Sequence, residues 1–134
     1  MENILWDESL SVGNQRIDNQ HKQLIQILNR LINSLYTDFD RVLFSEILSE
    51  LLEYSRVHFR DEELLLEEKK YPKLADHHNE HRDFKLELAK ICESILQGNT
   101  QVNLKLVEYL SNWYVNHICV SDQDYKHYMI NSDK

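Results

Sequence analysis

Four stretches of the chain repeat apolar residues every three or four positions, the spacing of one helix face. His21, Leu24, Leu28, Leu31 and Leu35 form the first stripe. The second reads Phe44, Ile47, Leu51, Tyr54, His58, Glu62 and Leu65, and the third Leu74, His77, His81, Phe84, Leu88, Ile91 and Ile95. Leu106, Tyr109, Trp113, His117 and Val120 make the fourth. The residues between stripes fit this division. Asp38 or Asp40 can cap a helix start. Tyr71 precedes a proline and is pushed out of the α region, Pro72 suits a first helical turn, and Gly98 suits a C-terminal cap. These signals predict helices over about 17–37, 40–69, 73–97 and 101–121, with a short segment over about 122–131. Residues 1–16 lack the period and read as an arm anchored by Trp6 and Leu10. Short joints between long amphipathic helices predict an all-α, antiparallel up-down-up-down four-helix bundle in one domain over 1–134.

Composition supports this architecture and narrows the function. Two glycines and one proline in 134 residues leave little punctuation for hairpins. A net charge of −8 offers no basic surface for nucleic acid or an anionic membrane. No apolar run approaches the roughly 18 residues that span a bilayer. The first residues carry neither a basic region nor a hydrophobic signal stretch, so a cytoplasmic protein is expected. Cys92 and Cys119 are then expected as reduced thiols. Cys119 reads as a small core residue.

The polar members of the stripes carry the chemistry. His58 and Glu62 are four apart, as are His77 and His81, and each pair therefore shares a helix face within roughly 5–6 Å. With His21, His117 and Asp122 they make five imidazoles and two carboxylates. In an antiparallel bundle His21, His58, His77 and His117 fall at one depth. One buried imidazole in a core is ordinary; five on inward faces cannot easily satisfy one another. Metal ions resolve this, because a neutral imidazole ligates through one nitrogen and donates its other N–H outward. The ligand count suits two ions. His117 and Asp122, five apart, are about 140° apart on an ideal α-helix. Asp122 either ligates through a bulged turn near Cys119–Ser121 or simply caps the last segment. His78, His127 and the run Glu67-Glu68-Lys69-Lys70 read as solvated.

In order along the chain, several motifs resemble the hemerythrin family in its single-domain bacterial form. They are the Trp6 and Leu10-Ser11-Val12-Gly13 arm; Ile17-Asp18-Asn19-Gln20-His21-Lys22-Gln23-Leu24; His58-Phe59-Arg60-Asp61-Glu62-Glu63; Tyr71-Pro72 with His77 and His81; and Trp113, Asn116-His117-Ile118 and Asp122. The resemblance implies a non-haem di-iron centre, two Fe ions joined by a bridging oxo or hydroxo group. It implies His77, His81 and His117 on one iron, His21 and His58 on the other, and Glu62 and Asp122 bridging. O2 would bind reversibly at the position left open on the second iron.

Imidazole suits iron and carboxylates suit bridging, although zinc or manganese would fit the same donors. Leu24, Phe59, Trp113, Tyr114 and Ile118 are the expected walls of the O2 pocket. Relatives often carry methionine where Leu66 stands, and usually leucine where Tyr114 stands. A phenol there would face the pocket or lie at the bundle edge. Reversible O2 storage, transport or scavenging is therefore the expected function, with a monomer as the default state. The alternatives are a di-iron peroxidase or nitric-oxide-consuming enzyme, or an oxygen or redox sensor acting through a separate partner.

Overall fold

The computed structural model describes residues 3–98 and 101–132, without the side chains of 95, 96 and 132. The first two residues of the arm and the Ile95 end of the third stripe lie outside that set. All regular structure among the described residues is helical. Helices α1 (Gln15–Ser34), α2 (Arg41–Glu68), α3 (Leu74–Leu96) and α4 (Val102–Trp113) pack each against the next, and α1 closes the ring against α4. After α4 the chain winds as a π-helix over Tyr114–Ser121 and runs straight into α5 (Asp122–Ser132).

Local chemistry accounts for the helix ends. The Asn14 side chain accepts the Ile17 amide and starts α1 at Gln15, two residues ahead of the expected start at 17. Beyond Ser34 the amides of Leu35, Tyr36 and Thr37 bond three residues back, so α1 ends in a tightened turn before residue 37. Asp40 caps α2 through the Leu43 amide. At the other end of α2, Lys70 takes φ 56° and the Tyr71 amide reaches back to Leu66 O, a left-handed stop with Lys where glycine is usual.

The arm is held at more points than Trp6 and Leu10. Ile4 exchanges two hydrogen bonds with the Asn29 side chain. Asp18 accepts from the Val12 amide and the Ser11 hydroxyl, and Gln123 donates to Leu10 O. Trp6 is half-buried, with the Lys22 ammonium 5.1 Å from its ring centre.

The interior divides into three layers, crossed by α1, by α2, by α3 and by the continuous run from α4 through the π segment into α5. Leu24, Tyr54, Phe84 and Trp113 belong to a large apolar cluster; Ile17, Leu66 and Tyr125 belong to a small one, with Leu74 packed against it. Between them lie His21 on α1, His58 and Glu62 on α2, His77 and His81 on α3, and His117 and Asp122 at the far end. Leu66, one residue past the end of the second stripe, fills core space in the small cluster.

Two expectations need correcting. Val120 does not continue the fourth stripe; it is 54% exposed, because π winding advances the phase of the face beyond Tyr114. Cys119 is not a core residue but half-buried beside Tyr114.

Candidate metal centre

All seven predicted side chains converge in the middle layer, each no more than 3% exposed. Glu62 stands at the centre and divides its two oxygens between two groups. Its Oε1 lies 2.6 Å from His77 Nε2, 3.0 Å from His81 Nε2 and 3.4 Å from His117 Nε2. Its Oε2 lies 3.3 Å from His58 Nε2 and 3.7 Å from His21 Nε2. Asp122 repeats the division: Oδ1 is 2.9 Å from His77 Nε2 and 3.2 Å from His117 Nε2, and Oδ2 is 2.9 Å from His21 Nε2. Two overlapping quartets result, Glu62–His77–His81–His117 and His21–His58–Glu62–Asp122. In each, the donor atoms lie within 4.8 Å of one another and could hold a metal ion.

Asp122 reaches the cage because the helix there is π-wound. Its amide donates to His117 O, five residues back, so one π turn closes on the two residues themselves. The bulge expected near residues 119–121 in fact begins at Tyr114.

The donors meet the requirements of metal ions better than those of one another. Both His21 nitrogens, His58 Nε2 and both Asp122 oxygens are buried without a hydrogen bond, although His21 Nε2 and Asp122 Oδ2 are only 2.9 Å apart. Groups that are close but wrongly angled point to a shared third position rather than at each other. The outward nitrogens of two rings are tied down. His58 Nδ1 meets Gln20 Oε1 at 2.6 Å, and Gln20 in turn donates to Asp61. His117 Nδ1 meets Glu80 Oε2 at 2.8 Å, and Ser121 donates to the other Glu80 oxygen. Such outer partners fix ring orientation and raise ligand basicity. The Tyr125 hydroxyl donates to Glu62 Oε2 at 3.1 Å.

Charge in this layer is strongly coupled. Burial opposes protonation of His21, but the Asp122 and Glu62 carboxylates outweigh it and raise the pKa to about 9. Against the same burial, these two carboxylates raise His77 to about 10. His117 reaches about 9 under Asp122, Glu62 and Glu80, again against burial. At His58 burial prevails and the pKa falls. Although burial pushes both carboxylates up, the imidazoles hold Glu62 and Asp122 below their ordinary range. Without ions the cage therefore collects protons, for which a metal would compete.

A pH prediction follows for the metal-free protein. His21, His77 and His117 bind protons more tightly folded than unfolded. Their contribution is complete below 6.5 and is lost as pH rises through about 9 to 10. The urea midpoint of chelated protein should fall between pH 7 and pH 10. The metal-loaded protein should lack this decline, since its imidazoles are already neutral. An unchanged midpoint in the chelated protein would contradict it.

Aromatic rings brace the cage. Phe59 stacks on His81 at 4.0 Å and 8°, and Trp113 on His117 at 4.1 Å and 15°. Leu24, Phe59 and Ile118 are fully buried and Trp113 nearly so. Tyr114 packs, partly buried, at the edge of the large apolar cluster, near Cys119. His78 is exposed and paired with Glu63, and His127 is exposed. Gln20, Glu80, Tyr54 and Tyr125 were not singled out by stripe position as site residues. Gln20 and Glu80 each directly precede a cage histidine, and Tyr125 follows Asp122 by three, which is the signal that marks them.

Bundle and cage together define a helical metal-binding protein whose donor set fits a non-haem iron site. Residues 12–128 match the family model described as the hemerythrin HHE cation binding domain. The chain belongs to the hemerythrin family. It is 34% identical over 124 residues to a bacteriohemerythrin of Stenotrophomonas maltophilia, covering 91% of this chain and 78% of that one. A bacteriohemerythrin of Clostridium acetobutylicum is 31% identical over 129 residues, covering 91% and 98%. Myohemerythrin-1 of Phascolopsis gouldii is 27% identical over 125 residues, covering 93% of both. The crystal structure of a hemerythrin with a leucine-to-tyrosine mutation superposes with a TM-score of 0.83 at 28% identity, covering 94% of this chain and 96% of that chain. No helix among the described residues is long and apolar enough to cross a membrane.

Proposed function

We propose that this chain binds O2 reversibly at a di-iron centre held by His21, His58, Glu62, His77, His81, His117 and Asp122. The observation that carries the reading is the unequal division of imidazoles. Three Nε2 atoms face Glu62 Oε1, and only two face Oε2. The two-imidazole half is one protein donor short and leaves room for a small ligand. When bound, the two irons supply the two electrons that hold dioxygen and are recovered on its release.

The chain's own residues set the conditions for this. Glu62 and Asp122 span both halves and supply two negative charges against five neutral rings. So few anions stabilise high oxidation states poorly, which favours binding over oxygen cleavage. Gln20 and Glu80 hold the outward nitrogens of His58 and His117, fixing where their ligating nitrogens point. Leu24, Phe59, Trp113 and Ile118 form the dry wall that keeps water and protons from the pocket. A peroxidase or nitric-oxide-consuming reading would need Tyr114, which packs partly buried at the edge of the large apolar cluster, to reach the ligand pocket.

Metal analysis with absorption spectra tests the proposal. Protein loaded with two irons per chain, reduced without air and then exposed to O2, should form a coloured species that bleaches under vacuum. Protein that takes up no iron, or that passes directly to a stable ferric form, would end the reading.

A further inference from the structure

Tyr54 is a buried phenol with no evident reason to be a phenol. It lies one helical turn before His58 on the inward face of α2, 2% exposed, and its hydroxyl has no hydrogen-bond partner. Phenylalanine would fill the same space without stranding a polar atom. The Tyr54 ring lies nearly parallel to His58, with centroids 5.1 Å apart and 12° between planes. His58 is one of the two imidazoles of the donor-poor half, and its Nε2 is also unpartnered. Tyr54 belongs to the same apolar cluster as Leu24, Phe59, Trp113 and Ile118.

We propose that the Tyr54 hydroxyl donates a hydrogen bond to a small, negatively polarised ligand bound on the His21–His58 side of the cage. This rests on the di-iron reading above. The residue has the properties such a donor needs. A phenol with its ordinary pKa of about 10 is protonated at neutral pH. It therefore adds a directional contact without adding a charge to the cavity. Trp113 Nε1 is also buried and unpartnered, but that ring stacks on His117, in the half that already has three imidazoles. Tyr54 is thus an unsatisfied hydroxyl beside the open half, whose other unpartnered atoms are the His21 and His58 ring nitrogens and the Asp122 oxygens of the cage itself.

Azide, a linear anion that binds ferric iron, is the probe. Iron-loaded wild-type and Tyr54→Phe proteins are titrated with azide and followed by visible absorption. Loss of one hydrogen bond to a charged acceptor should weaken the variant about tenfold. The azide stretching frequency should shift in D2O for the wild type and not for the variant. Metal-free Tyr54→Phe should melt at or above the wild-type temperature, because no internal partner is lost. Equal affinities and equal isotope shifts would overturn the proposal while leaving the di-iron reading intact; the hydroxyl would then serve only a resident water. A lower melting temperature of the metal-free variant would also overturn it, by revealing a structural partner. Failure of the wild type to load iron would instead remove the reading on which it rests.

Discussion

A Glu62→Gln protein should purify with almost no iron and fail to take it up after chelation. The reason is positional. Glu62 is the one residue common to both quartets, meeting three imidazoles through Oε1 and two through Oε2. Glutamine keeps the shape but turns one of those oxygens into an NH2 group, which repels a cation and cannot ligate it. One half loses a ligand and both lose half an anion. Altering an outer partner of a metal site costs about 10–100-fold in affinity, and a central bridging ligand should exceed that range. Iron per chain after desalting is the measurement. Wild-type stoichiometry in the variant would show that Glu62 does not bridge.

The second large effect is expected at Phe59. Its ring is fully buried, stacked on His81 and set edge-on to Phe84 with centroids 5.2 Å apart. Phe59→Ala should cost about 3–5 kcal/mol in urea unfolding, from lost transfer energy and the cavity left behind. Because that cavity adjoins the cage, it also admits water and protons. The reduced, iron-loaded variant should oxidise in air several times faster than wild type. Phe59→Leu, which leaves a smaller void, should fall between the two on both measures. A cost below about 1 kcal/mol would mean that the surroundings collapse onto the site and that Phe59 is no essential wall.

The bundle was legible because its signal is periodic. Leu24, Leu28 and Leu31, or Phe44, Ile47 and Leu51, repeat at helix spacing and are all buried. Most of the cage was legible for the same reason, since His58–Glu62 and His77–His81 keep the α-helical step. Asp122 was ambiguous because five is not an α-helical step, and only the π turn from Tyr114 brings it round. That same turn explains the miss at Val120, which regular winding would have kept inside. Gln20 and Glu80 were missed because periodicity reports which face points inward. It says nothing of side chains that reach round from a neighbouring helix to a ring's far nitrogen. Stripe position marks Tyr54 as one more core aromatic, and its stranded hydroxyl shows only in three dimensions.

The layering of the interior has a mechanical consequence. The cluster beyond the cage comprises Val12, Ile17, Leu66, Tyr71, Tyr125 and Met129, a patch too small to seal that end of the bundle unaided. A pair of bound cations would rivet all four helices at the boundary between oil and charge. The arm and the final helix, which meet where Gln123 reaches Leu10, would then owe their docking to the occupancy of the middle of the molecule.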